Sequence, residues 1–296
     1  MEQLWKKILL GLGILVALPW GITAAISGKE CLVKNQKVDW EVYLPILLCQ
    51  QISWDYEEET LKAQAVLARS SLYLCLYEEK ECASIWKNLM EEHEQKKNED
   101  SYRLAFERMK QAVMETEGQV LTYNNVVCDG VFHKVSAGDT RDGIEILQNT
   151  SYGYLESVKS EEDILAETYL KGHYFSEEAL KLRLNKYHPD IVWSEESLFE
   201  QIQIEQRDSA GYVTKIKLGN VEVSGEEFRV FMELSSSNFS IQEVNGKVRF
   251  LCKGLGHGLG MSQFGANNMA KKGSTYLNIL TYYFPQAEVQ KVNLQI

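Results

Sequence analysis

The run Gly254-Leu255-Gly256-His257-Gly258-Leu259-Gly260 puts glycine at every second position around one histidine. Glycine costs roughly 0.5–1 kcal/mol relative to alanine inside a helix or strand. Four glycines in seven residues therefore exclude regular structure, and the backbone here must turn sharply or lie against something. Met261-Ser262-Gln263-Phe264-Gly265 follows and leads into a helix expected over about 263–272. A dinucleotide loop fits poorly, because the spacing lacks the G-x-x-G step into the helix and no βαβ unit surrounds it. The structural alternative is a glycine-rich crossing with a buried histidine.

Around this run the chain reads as α+β. Leu61, Ala65, Ala68, Leu72 and Leu76 recur at helical spacing and predict a helix over 59–77. Lys62, Arg69 and Tyr73 lie off that stripe. A second helical stretch covers about 84–117, interrupted by the charged run 91–100. Residues 119–123 and 126–135, joined by Asn124-Asn125, predict a hairpin. Residues 161–200 read as polar and helix-prone. Short strands are expected at 202–206, 213–218 and 221–223, a helix at 225–234, a hairpin from 239–244 and 247–252, and a last helix near 276–284. The lack of βαβ alternation argues against a doubly wound sheet.

Ile8 to Ile26 contains no charged side chain, and its 19 residues approach the length needed to span a bilayer. Lys6-Lys7 before it and Glu30 after it place the body outside the cytoplasm. The expectation is a single N-terminal transmembrane helix within residues 1–27, followed by an exported domain over 28–296. A cleaved signal peptide is the competing reading, given Thr23-Ala24-Ala25. The formal charge of −11 excludes an overall basic nucleic-acid binder. Composition excludes disorder and a multi-span membrane protein. Six cysteines permit disulfides without requiring them, and Cys75 with Cys82 could pair near a helix end. Cys128 and His133 are too few for a zinc site, and neither a metal nor a cofactor is expected.

Three segments carry candidate chemistry. Lys62 and Arg69 give the 59–77 helix a cationic edge suited to carboxylates or sugar oxygens, and Gln64 adds a two-way hydrogen-bonder. In the run 133–140, small residues allow close backbone approach, while His133, Ser136 and Thr140 around Gly138 supply donors and acceptors. The third segment is the glycine run, with His257, Ser262 and Gln263.

Together these segments resemble the stage II sporulation protein D family, also called the SpoIID/LytB domain. The family's helix, loop and glycine motifs stand here as LKAQAVLARS (61–70), FHKVSAGDT (132–140) and GLGHGLGMSQFGA (254–266). GQVLTYN (118–124) and 223–241 are also similar to family sequence, so the match runs in order from about Leu44 to Pro285. The resemblance implies an α+β domain acting on peptidoglycan during forespore engulfment, alongside stage II sporulation proteins P and M. It implies a membrane-anchored lytic transglycosylase that cleaves MurNAc–GlcNAc bonds, preferably in strands stripped of stem peptides by an amidase. His257 would assist catalysis. Lys62, Gln64, Arg69, His133, Ser136, Gly138, Thr140, Ser262 and Gln263 would bind the glycan.

Such an enzyme needs a carboxyl to protonate the leaving oxygen. The resemblance places that Glu eleven residues before the Lys of L-K-A-Q, and Gln51 stands there. An amide cannot deliver the proton, a contribution worth typically 10²–10⁴-fold. The 132–140 loop departs too, with Lys134-Val135 replacing a small polar pair and Ala137 replacing a glycine. The leading expectation is a degenerate transglycosylase that binds denuded strands. The alternatives are an active enzyme using another carboxylate such as Asp55, and a structural membrane protein unrelated to glycan.

Overall fold

A computed structural model of the protein describes residues 40–77, 83–195 and 197–292. The expected anchor lies outside the described residues. Among the described residues no helix is long and apolar enough to cross a membrane.

Residues Glu41–Asn293 form one compact unit of helices and strands, as the α+β reading expects. In chain order its elements begin with α1 (Leu44–Gln51), α2 (Glu58–Tyr77), α3 (Ala83–Lys96), α4 (Asp100–Glu115), β1 (Gln119–Tyr123), β2 (Val126–Val127) and β3 (Phe132–His133). They continue with α5 (Gly143–Leu147), β4 (Leu170–Phe175), α6 (Glu177–Tyr187), β5 (Ile202–Arg207), β6 (Val213–Leu218), β7 (Val221–Ser224) and α7 (Gly225–Met232). The last are β8 (Phe239–Val244), β9 (Lys247–Lys253), β10 (Met261–Ser262), α8 (Gln263–Lys271), α9 (Tyr276–Tyr283) and β11 (Glu288–Lys291).

Two cores share the unit. In the first, α2 lies under α1, α4, β1, α8 and α9. Its expected apolar stripe is buried at Leu61, Ala65, Ala68 and Leu72, and so are Ala63, Val66, Leu67 and Ser70. A central helix is covered nearly all round, which is why a single amphipathic stripe under-describes it. The second core joins two antiparallel three-stranded sheets, ordered β4-β9-β8 and β5-β6-β7, around Phe228, Phe231, Phe239 and Phe250, with α6 and α7 packed on them.

The Asn124-Asn125 turn forms as predicted, with both residues in the left-handed region (φ 51° and 62°). Its second arm is shorter than expected. Only Val126 and Val127 pair with β1, and the chain then leaves that sheet so that Phe132 and His133 pair in parallel with Met261 and Ser262. Residues 161–200, expected to be helix-prone, also hold a six-residue strand. β4 pairs with β9 from Leu170↔Lys253 to Phe175↔Val248, a long-range pairing that local propensity does not encode. Cys75 is disulfide-bonded, whereas Cys49, Cys128 and Cys252 are free.

Candidate functional site

α1 ends at Gln51, where the Ile52 N–H closes the last turn on the Leu48 carbonyl. Three amides then interlock. Gln64 Nε2 donates to Gln51 Oε1 (3.1 Å), while Gln263 Nε2 donates to Gln64 Oε1 (3.1 Å) and to the Gln51 carbonyl (2.9 Å). Gln64 and Gln263 are buried, so this ladder fixes Gln51 from below. The Gln51 side-chain oxygen is engaged by the ladder. Its NH2 group has no hydrogen-bond partner among the described residues and can donate to a ligand.

The glycine run passes beside this ladder. Gly254, Gly256, Gly258 and Gly260 all adopt positive φ, between 69° and 116°. Close approach fixes two of them independently of φ. A Cβ at Gly256 would meet the His133 Cβ at 2.9 Å, and one at Gly260 would meet the Val131 carbonyl oxygen at 2.1 Å. The run is therefore laid directly on the 131–136 segment, and β3–β10 pairing continues the contact.

This packing brings His133 and His257 to a ring separation of 5.9 Å. Leu259 orients both rings. Its carbonyl accepts from His133 Nδ1 (3.0 Å), and its N–H donates to His257 Nδ1 (3.1 Å). Burial, reinforced by proximity to His257, holds His133 down at about 3, and burial also lowers His257. Both rings are neutral at pH 7, and His257 Nδ1 is occupied by backbone. Arg141 secures the run from the other side, donating to the His257 carbonyl (3.2 Å) and pairing with buried Asp208 (2.5 Å).

Above these residues lies an open groove with two arms that share Gln51, Lys134 and Leu255. One arm is lined by His133, His257, Lys171, His173, Arg229 and Glu233, the other by Tyr56, Val135, Glu167, Gln263 and Phe264. Gln51, His133, His257 and Gln263 of the sequence candidates are thus brought together. Among the described residues no cluster of three or more His, Cys, Asp or Glu is arranged to hold a metal ion.

The other candidates stand elsewhere. Lys62 is paired with Glu59 (2.8 Å) and Glu115 (2.5 Å), bonds that raise its pKa, and it does not line the groove. Arg69 is fully buried and spends all five donors internally: on both Glu41 oxygens, Thr116 Oγ1, and the Gln119 and Val113 carbonyls. Ser136 and Thr140 are buried and accept backbone N–H groups from Gly138 and Val158. Gly138 shapes that loop at φ 123°. Ser262 caps α8 by accepting from Gly265 N–H (3.2 Å). Asp55 is exposed in the turn before α2 and lines neither arm. The sequence reading missed Lys171 and His173 of β4, Arg229 of α7 and Glu233 at the C-cap of α7. The available signal was the two-residue spacing of Lys171 and His173, which places them on one face of a strand.

Comparison with known proteins bears out the family resemblance. The family model described as SpoIID, Stage II sporulation protein, matches residues 29–123, the stretch that carries Gln51, Gln64 and Arg69. The chain is 26% identical to stage II sporulation protein D of Bacillus amyloliquefaciens over 271 residues, covering 87% of this chain and 76% of that protein. It is 26% identical to stage II sporulation protein D of Bacillus subtilis over 276 residues, covering 88% and 77% respectively. A shorter match, 32% over 82 residues, covers 27% of this chain and 12% of the amidase enhancer of Bacillus subtilis.

Proposed function

We propose that this SpoIID-type sporulation protein binds denuded peptidoglycan strands in the Gln51 groove and has weak or no lytic transglycosylase activity of its own. The observation that carries this reading is the amide ladder. At the position where the resemblance expects the acid, Gln51 presents an NH2 group to the groove and holds no transferable proton. Neither neighbouring histidine replaces it, because burial lowers both and each is neutral at pH 7. The carboxylates that do line the groove are Glu167 and Glu233, and Glu233 is paired with Arg183 (2.6 Å). Binding does not need an acid. An open two-armed cleft with amide, ammonium and imidazole groups suits the hydroxyl and amide pattern of an extended glycan.

The proposal extends to cellular context. A single-pass anchor over the uncharged run 8–26, an extracytoplasmic body, and work beside stage II sporulation proteins P and M during engulfment all rest on the sequence and the resemblance. The deciding experiment incubates the protein with amidase-treated glycan strands and analyses the muropeptides. The expected result is strand binding without new 1,6-anhydro ends; release of those ends at a rate typical of a transglycosylase would overturn the reading.

A further inference from the structure

We propose that Lys134 and Lys171 are the specificity-determining residues of the groove, and that they hold carboxylates of a glycan strand laid across Gln51. The inference rests on the glycan reading above and deepens it.

The argument starts from charge balance. The first arm is lined by three permanent cations, Lys134, Lys171 and Arg229, against one carboxylate, Glu233. Arg229 is spent on Glu226 (2.6 Å) and Glu233 on Arg183 (2.6 Å). Lys134 and Lys171 are exposed and make no ion pair among the described residues, on a chain whose net charge is −11. His173, two residues from Lys171 on β4, has a pKa lowered by burial and, secondarily, by that lysine, so it is neutral at pH 7 and adds no anion to the arm. In an otherwise acidic protein, a groove arm with two ammonium groups that no ion pair uses concentrates an anionic ligand locally, while the one unpaired carboxylate of the groove among the described residues, Glu167, stands in the other arm.

Geometry ties this charge to Gln51. Gln263 donates to the Gln51 carbonyl (2.9 Å), and the next residue, Phe264, donates its N–H to the Lys134 carbonyl (3.1 Å). Lys134 N–H in turn donates to the Leu255 carbonyl (3.2 Å). The lysine is therefore held at the junction of the two arms by backbone bonds. Lys134 also departs from the small polar residue the resemblance expects, as Gln51 departs from Glu. The two departures make sense together. A glutamate at 51 would share the groove with an ammonium at 134, and each would neutralise the other. With Gln51 the lysine stays available to the ligand.

The anion follows from the glycan. While a stem peptide is attached, the lactyl group of each N-acetylmuramyl residue is an amide. Hydrolysis of that amide leaves a carboxylate on the lactyl group of every second sugar, so a carboxylate carried on the glycan backbone itself marks stripped strands. A lysine is a compact point charge suited to one such carboxylate, without the bidentate fork of arginine. The groove would thus take the product of an amide hydrolysis.

The test uses the full chain in detergent and three polymers at low ionic strength: amidase-treated strands, the same strands with their carboxylates converted to methylamides, and a glycerol-phosphate polymer. Partly exposed ion pairs predict a three- to fivefold loss for each lysine, so about tenfold tighter binding to carboxylate strands than to methylamide strands. Lys134→Gln and Lys171→Gln should each weaken binding to carboxylate strands three- to fivefold and methylamide binding by less than about twofold, with arginine at either position restoring the carboxylate preference. Equal binding of the two strand forms overturns this proposal while leaving the glycan reading intact, as does tighter binding of the phosphate polymer than of the carboxylate strand. Failure to bind either strand form overturns the glycan reading and this inference with it.

Discussion

Gln51→Glu is the most informative single change, because the structure says it should not by itself create an efficient transglycosylase. The Gln64 Nε2 group that now donates to Gln51 Oε1 can donate equally to a carboxylate, so the ladder survives and the fold is expected to hold. An ordinary glutamate with a pKa of about 4.3 is protonated in only about 0.2% of molecules at pH 7. Multiplying that fraction by the typical 10²–10⁴ of general acid catalysis leaves about 0.2- to 20-fold. Hydrogen bonding from Gln64 favours the charged form, and a cation close by lowers a carboxyl by about 1–3 further units. Lys134 shares both arms of the groove with position 51, so the single variant should remain near background at pH 7. Adding Lys134→Ser removes that cation. The double variant should then release 1,6-anhydro ends, with a rate that rises about tenfold per unit as pH falls from 7 towards 5. Muropeptide chromatography on amidase-treated strands measures both. A single variant that at pH 7 equals or exceeds the double variant would refute the placement of Lys134 against position 51.

Arg69→Met should cost about 3–5 kcal/mol in urea unfolding, because it removes the five hydrogen bonds of a fully buried guanidinium, the ion pair with Glu41 among them; a loss below about 1 kcal/mol would show those bonds to be replaceable by water. Lys62→Gln should leave strand binding unchanged, since Lys62 faces Glu59 and Glu115 rather than the groove, and a pull-down on stripped strands checks it. The chain should lose stability as pH falls from about 6.5 towards 3. His133 is neutral when folded, at about 3, and takes up a proton when unfolded. The slope from this one group reaches at most about 1.4 kcal/mol per pH unit, and His133→Gln should flatten it in acid-unfolding curves. Gly260→Ala should lower the soluble yield and the melting temperature, because its Cβ would fall 2.1 Å from the Val131 carbonyl oxygen.

The positions of the helices and short strands were legible because period and turn chemistry are local signals. The long-range pairings were not. Val126–Val135 reads as one strand, yet the chain divides it between β2, which pairs with β1, and β3, which pairs with a segment some 130 residues later. The site was half legible for a related reason. Residue type reveals that Arg69 and Ser136 have unusual hydrogen-bonding capacity, but not whether that capacity is spent on ligand or on the fold. Arg69 spends all five donors inside the protein, and Ser136 accepts from Gly138 N–H beneath the loop surface. Lys171 and Arg229 became groove residues only when β4 and α7 of the second core were folded against the first.

The glycine run explains how that assembly is achieved. Its residues alternate between two duties because the backbone lies between the two cores. The glycines approach their neighbours at distances that exclude a side chain: Gly256 and Gly260 against the 131–136 segment, and Gly258 against Tyr212, where a Cβ would sit 2.5 Å from the ring. The intervening residues are free to project, and Leu255 and His257 do so into the groove. Tyr212 belongs to the loop before β6, and its hydroxyl accepts from Ala137 N–H (3.0 Å), so the run and the 132–140 loop meet the second core at one side chain. An added methyl at Gly258 would therefore disturb the junction that sets Lys171 and Arg229 opposite Gln51. Gly258→Ala should weaken strand binding even where the folded fraction is restored by lowering the temperature. Unchanged binding by that folded fraction would show that the groove tolerates movement of one core against the other.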